Sequence, residues 1–171
     1  MLILISGTNG SGKSKFAEEL VCRIPGQRYY IATMICQNKE NRRRIQKHRS
    51  QRAGLSFHTS EQPHALGQVQ VPSDGVVLLE DVSNLLANLM FEIHGSVDNA
   101  LGEILALSKR CKVLVAVTIS ELCPAGYEGE TADYIRALER LNQQLLALSD
   151  AAFELHDGTV TCQKGAFPDV T

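Results

Sequence analysis

The sequence of 171 residues predicts a three-layer α/β domain with a mainly parallel sheet. Short apolar runs at residues 2–5, 76–79 and 113–117 have the composition of buried strands. Segments with apolar residues at helical spacing separate these runs, and that alternation is typical of parallel strands joined by helices. Two strand-like runs on either side of Asp157-Gly158 add a C-terminal β-hairpin.

The first apolar run leads into a loop with the pattern Gly, any four residues, Gly, Lys, Ser. Apolar residues at helical spacing follow the loop and end at Pro25-Gly26, so the loop joins a strand to a helix N-terminus. Backbone N–H groups and the helix dipole favour phosphate there, Lys13 can reach the outer phosphates, and the Ser14 hydroxyl can bind Mg²⁺. The predicted nucleotide-binding residues of this loop are Gly7, Thr8, Asn9, Gly10, Ser11, Gly12, Lys13 and Ser14.

The other elements follow in chain order. A strand over 29–33 completes the first strand–helix–strand unit, and a polar helix over 39–52 comes next. Without an internal repeat or a convincing boundary, the chain is predicted to form a single domain over residues 1–171. The further expected elements are strands at 55–59, 76–79, 113–117, 152–155 and 159–162 and helices at 85–93, 101–107 and 131–148.

Composition excludes several classes of function. Hydrophobic residues make up 44% and charged residues 21%, which is ordinary globular usage, and the net charge of -2 gives no general attraction to nucleic acid. Five cysteines without metal-ligand spacing favour reduced thiols, and no zinc site is expected. No signal peptide and no apolar run of membrane-spanning length is present, so the expected location is cytoplasmic.

A pair of carboxylates follows the buried run at residues 76–79. Glu80 and Asp81 would lie at the carboxyl end of a parallel strand, which is the edge of the sheet where ligands bind. Mg²⁺ held by the Ser14 hydroxyl would be within reach of such acids. The loop and the acids together predict a P-loop NTPase-like (RecA-like) domain, with Ser14, Glu80 and Asp81 as candidate metal ligands.

Six basic residues lie between Arg42 and Arg52, in the predicted polar helix. A run of surface charge is commonly just a solvated face, but this one follows the second strand and should leave from the ligand edge of the sheet. The run also contains His48, and imidazole is a competent nucleophile toward phosphorus when cations stabilise the transferred group. From the residues alone, a structural and a functional His48 are both open interpretations.

The sequence resembles the bifunctional adenosylcobinamide kinase/adenosylcobinamide-phosphate guanylyltransferases of cobalamin biosynthesis. The resemblance covers most of the chain, and its most specific part is the segment Arg44-Ile45-Gln46-Lys47-His48-Arg49 at this distance after the loop. Other matching features are the loop with Phe16-Ala17-Glu18 behind it, Tyr30-Ile31-Ala32-Thr33, Thr59 and Glu61, Leu78-Leu79-Glu80, Asn88-Leu89 and Arg140-Leu141-Asn142-Gln143.

The resemblance implies two activities. One phosphorylates the hydroxyl of the aminopropanol arm of adenosylcobinamide, with ATP or GTP as donor. The other transfers GMP from GTP to the family's histidine, which corresponds to His48, and then to the new phosphate, giving adenosylcobinamide-GDP. Mg²⁺ as cofactor and a homotrimer are implied as well. Besides the loop, the positions matched to the nucleotide site are Thr33, Arg49, Arg52, Glu61 and Glu80.

The chain departs from the family pattern after the third buried run. The family's Asn-Glu-Val-Gly is here Ile119-Ser120-Glu121-Leu122, at an end of the sheet suited to a second substrate. Two alternatives therefore stand beside the leading hypothesis. One is a P-loop kinase for another small hydroxyl compound, in which His48 only contacts phosphate, and the other is a nucleotide-binding regulatory protein that has lost turnover.

Overall fold

The computed structural model describes residues 1–35, 43, 46 and 54–168. Its strands are β1 (Leu2–Gly7), β2 (Arg28–Ala32), β3 (Phe57–Glu61), β4 (Val76–Glu80), β5 (Val113–Val117), β6 (Ala151–His156) and β7 (Thr159–Lys164). Its α-helices over these ranges are α1 (Lys13–Arg23), α2 (Val82–Glu92), α3 (Val97–Arg110) and α4 (Gly129–Leu148), and Leu66–Gln68 forms a short 3₁₀ helix.

All seven strands belong to one sheet, in the order β3-β2-β4-β5-β1-β6-β7. Every pair of neighbours is parallel except β6 and β7, which form the antiparallel C-terminal hairpin. The predicted α/β class with a mainly parallel sheet is therefore confirmed. Among the described helices, none combines the length and the apolar composition that crossing a bilayer requires.

Different helices pack on the two faces of the sheet. Alternate residues of a strand contribute to each face because successive side chains point to opposite faces. Ile3 and Ile5 of β1 lie in a cluster with α1, whereas Leu2 and Leu4 lie in a second cluster with α2, α3 and α4. The result is the predicted three-layer arrangement, with the central strands β4 and β5 buried on both sides.

The start of α2 is fixed by the residue that follows β4. Asp81 is the N-cap, and its Oδ1 accepts hydrogen bonds from the backbone N–H of Asn84 at 2.7 Å and from the Ser83 hydroxyl at 2.6 Å. Such a cap satisfies amide groups that have no partner within the helix. The chain therefore turns from strand to helix directly behind the acidic pair.

Between β2 and β4, the observed elements differ from those that the sequence predicts. The strand expected at 55–59 is observed at Phe57–Glu61, where it pairs in register with β2. The weakly patterned stretch behind it contains Leu66, which is fully buried and whose N–H donates to Glu103 Oε2 at 2.9 Å. This burial depends on contacts with α3, which local periodicity cannot reveal. The polar helix predicted over 39–52 lies outside the described residues, apart from Arg43 and Gln46, which are helical and exposed.

A core truncation tests the central position of β4. Leu79 is 0% exposed, so Leu79→Ala is expected to lower the free energy of unfolding by about 2–5 kcal/mol through lost burial and the cavity left behind. Urea unfolding followed by circular dichroism measures this. Leu148→Ala removes the same atoms at a site that is 53% exposed and should cost less than about 0.5 kcal/mol. Equal losses in the two variants would contradict the assignment of Leu79 to the core.

Candidate functional site

The sheet register brings the predicted site residues to one edge. Ala32 at the end of β2 pairs with Glu61 of β3 and with Glu80 of β4, and Glu80 in turn pairs with Val117 of β5. Because β5 also pairs in parallel with β1, the loop that follows β1 lies at this same edge. In open α/β sheets the carboxyl ends of the strands are where ligands bind.

The loop between β1 and α1 has the close backbone approach that its glycines permit. A Cβ on Gly7 would lie 2.6 Å from the carbonyl oxygen of Leu155, and Gly12 has a φ of 90° directly before α1. The hydroxyl of Ser11 is buried and has no hydrogen-bond partner among the described residues. An unpartnered donor in a loop that leads into a helix N-terminus suits a phosphate oxygen.

Lys13 is the buried cation of the loop. Its ammonium donates to the carbonyl oxygen of Thr8 at 3.0 Å, which folds the side chain back over the loop. Burial lowers the pKa of Lys13, and the negative charges of Asp81 and Glu80 oppose that shift. Lys13 therefore lies in the field of both carboxylates, at the point where outer phosphates would sit.

Glu80 and Ser14 meet across the sheet edge. The Ser14 hydroxyl donates a short hydrogen bond to Glu80 Oε1, and the Tyr30 hydroxyl donates to Glu80 Oε2 at 3.2 Å. A hydroxyl and a carboxylate oxygen are the kinds of ligand that Mg²⁺ takes from a protein when phosphates complete its shell. The donor set therefore fits the predicted cofactor.

Thr33 and Asp81 have structural partners that the sequence did not indicate. Thr33 is fully buried, and its hydroxyl donates to the carbonyl oxygen of Asp81 and accepts from the Asp81 N–H, both at 2.7 Å. Asn88 of α2 donates to the carbonyl oxygens of Thr33 and Pro63 at 2.8 and 2.9 Å. These bonds tie the ends of β2 and β4 to α2 and so hold the acidic pair in place.

The structure brings together only part of the predicted site. The loop, Lys13, Ser14 and Glu80 converge, and Glu61 lies at the same edge at the end of β3. His48, Arg49 and Arg52 lie outside the described residues, so their roles stay predictions. The roles of Thr33, Glu61 and Asp81 as nucleotide or metal contacts likewise stay predictions.

One cluster was not found from the sequence. His156 Nε2 lies 3.5 Å from Glu121 Oε1 and 3.6 Å from Glu154 Oε1, and these ligand atoms are close enough together that they could hold a metal ion. The Ser120 hydroxyl donates to Glu154 at 3.1 Å. The available signal was Glu154 itself, because a carboxylate in an otherwise apolar strand is unusual.

Fold and site together define a P-loop nucleotide-binding protein. The motif lies between strand and helix, its serine contacts the acid at the end of β4, and its lysine is buried. This matches the class that the sequence predicted.

The chain belongs to a specific family within this class. The family described as cobinamide kinase/cobinamide phosphate guanyltransferase matches residues 3–162. Two similar proteins are both named bifunctional adenosylcobalamin biosynthesis protein CobU. The one from Salmonella typhimurium LT2 is 28% identical, the one from Escherichia coli K12 is 30% identical, and each match covers 92% of this chain and 97% of the relative. The predicted family resemblance is confirmed.

A solved structure with a similar arrangement is more distant. The P4 protein from bacteriophage phi6 in complex with ADP gives a TM-score of 0.46 at 14% identity. The match covers 94% of this chain and 52% of that protein, so the chain spans about half its length. A likeness at this level carries no conclusion about the site.

Removing the loop ammonium should weaken nucleotide binding. Lys13→Ala deletes the buried cation, and loss of a charged hydrogen-bond donor to phosphate is expected to weaken GTP binding about 10–100-fold in titration calorimetry. Lys15→Ala is the matched control, because its side chain is 83% exposed on the same helix. Unchanged affinity in Lys13→Ala would refute the phosphate-loop assignment.

The substitution Thr33→Val tests whether Thr33 stabilises the site or contacts the nucleotide. Valine keeps the shape but leaves the Asp81 N–H and carbonyl without this partner, so we expect the free energy of unfolding to fall by about 1–3 kcal/mol. Thermal and urea unfolding of the variant and the wild type measure the difference. A loss of GTP affinity with no loss of stability would show instead that Thr33 serves as a nucleotide contact.

Proposed function

We propose that this chain phosphorylates adenosylcobinamide and transfers GMP from GTP through His48 to give adenosylcobinamide-GDP. The observation that carries the proposal is the convergence of Lys13, Ser14 and Glu80 at the loop of a chain that belongs to this family. A buried cation beside two oxygen ligands is suited to binding the polyphosphate of a nucleotide.

The residues of the loop and of the neighbouring strand ends have distinct roles in this proposed function. Backbone N–H groups and the Ser11 hydroxyl bind phosphate oxygens, and Lys13 neutralises charge on the outer phosphates. Ser14 and Glu80 would hold Mg²⁺, which would supply further charge neutralisation on the phosphates when bound. Tyr30 orients Glu80 by donating to its second oxygen, and Thr33 keeps the end of β4 in position.

In the kinase step the acceptor hydroxyl forms a new P–O bond to the γ-phosphorus of ATP or GTP. The bond from that phosphorus to the β-phosphate oxygen breaks, the nucleoside diphosphate leaves, and the hydroxyl proton is released. The protein contributes positioning and charge stabilisation, since the nucleotide donor already contains the leaving group, the nucleoside diphosphate.

In the guanylyl transfer an imidazole nitrogen of His48 forms a P–N bond to the α-phosphorus of GTP. The bond to the pyrophosphate breaks and pyrophosphate leaves, while the ring gives up its proton. An oxygen of the phosphorylated acceptor then forms the new P–O bond as the P–N bond breaks, and the leaving imidazole takes up a proton, which restores the neutral histidine. Arg49 and Arg52 are suited to hold the departing pyrophosphate, and two displacements replace one difficult transfer. Glu61 is proposed as a further nucleotide contact. We also propose that the whole chain forms a single domain and that three copies of it assemble as a homotrimer.

Intact-protein mass spectrometry after incubation with GTP and Mg²⁺ tests the covalent step. We expect an acid-labile mass gain equal to GMP, because a phosphoramidate on histidine hydrolyses in acid, and we expect it to be absent in His48→Ala. His58→Ala is the matched control, since His58 is exposed on β3 and is expected to leave the label in place.

The outcomes separate the competing functions. ATP-dependent phosphorylation of another small hydroxyl compound, with no label, would support a P-loop kinase in which His48 contacts phosphate only. Binding with neither label nor turnover would support a nucleotide-binding protein without activity. A label that persists in His48→Ala would reject His48 as the carrier.

A further inference from the structure

A cavity of about 260 Å³ lies between α4 and the sheet. Its apolar wall includes Leu4 of β1 and Leu138 of α4, and its polar wall includes Gln143 of α4 and Glu154 of β6. Because Leu4 belongs to the cluster that packs against α2, α3 and α4, the cavity lies on the face of the sheet opposite α1.

The cavity adjoins the phosphate loop through β1. Ser6 lines it and directly precedes Gly7, the first residue of the loop, and Ser6 is paired in register with Glu154. Ser120, which also lines the cavity, donates its backbone N–H to the carbonyl oxygen of Gly7 at 3.1 Å. A molecule in the cavity would therefore lie beside the start of the loop, at the carboxyl edge of the sheet.

The charge of the lining selects the kind of ligand. Three carboxylates contribute to it, from Glu121, Glu139 and Glu154, and the lining residues include neither lysine nor arginine. Carboxylates repel phosphate, so a nucleotide polyphosphate is disfavoured here and favoured at Lys13. Carboxylate oxygens instead accept hydrogen bonds from amide N–H and hydroxyl groups, and the amide of Gln143 can both donate and accept.

The size of the cavity limits how much of a ligand can enter. Pockets for whole small molecules occupy about 300–1,000 Å³, so a volume of about 260 Å³ fits part of a large ligand. The apolar wall suits methylene groups, and the polar wall suits an amide at the end of a chain.

We propose that this cavity binds an amide-bearing side arm of the acceptor, an inference that rests on the proposed function. The macrocycle of the acceptor remains outside the cavity. Its uncharged arm donates hydrogen bonds to the carboxylates, which repel phosphate. The lining includes Ile119, Ser120, Glu121 and Leu122, where this chain departs from its family's pattern. In this proposal, residues 119–122, which lie between β5 and α4, contribute to recognition of the acceptor.

Blocking the cavity tests the proposal. Leu146 lines it, is 37% exposed and therefore tolerates a larger side chain, so Leu146→Trp should occlude the space without unfolding the protein. With ATP or GTP as donor, whichever supports turnover, the KM for adenosylcobinamide is expected to rise roughly tenfold or more while the KM for the nucleotide stays within about twofold. Leu148→Trp is the matched control on the same helix, at a residue outside the lining.

A second variant tests the cavity independently, in case Leu146→Trp causes a folding defect. Gln143→Ala removes an exposed amide of the lining and should also raise the KM for adenosylcobinamide, with unfolding temperature unchanged. Wild-type turnover with an unaltered acceptor KM in both variants would overturn the cavity and leave the proposed function standing. An equal rise in Leu148→Trp would overturn it too. Absence of phosphorylation by the wild type would overturn both.

Discussion

Parallel pairing of β1 with β5, and of β5 with β4, is the constraint on which the site depends. It aligns the ends of strands that are far apart in sequence, so that the Ser14 hydroxyl behind β1 meets Glu80 at the end of β4. A slip by one residue would turn the Glu80 side chain to the opposite face, because side chains alternate along a strand. The fully buried residues of both faces make such a slip unfavourable.

The acidic pair is held in place by hydrogen bonds within the protein. Thr33 fastens Asp81 to the end of β2, Asp81 caps α2, and Asn88 of α2 returns to the carbonyl oxygen of Thr33. This closed set of hydrogen bonds joins two strand ends and a helix within the core. A site that must hold a carboxylate beside a buried ammonium needs such support, because small displacements change charge interactions strongly.

Two ligand environments of different character adjoin β1. On the α1 side, Lys13 and the loop amides provide positive potential for phosphate. On the α4 side, carboxylates and amides line a cavity that disfavours phosphate. If the acceptor arm occupies this cavity as proposed, phosphate is disfavoured at the position of the arm while both substrates lie at one edge of the sheet.

The sequence by itself determined the layer architecture, the phosphate loop and the family, because apolar periodicity and a motif of fixed spacing are local properties of the chain. Only the tertiary structure decided that Glu80 contacts Ser14, that Thr33 supports Asp81, and that Leu66 is buried. It also brought Glu121 and Glu154 to one cavity from separate elements. Such contacts join residues far apart in the chain, so their existence follows from strand order and register.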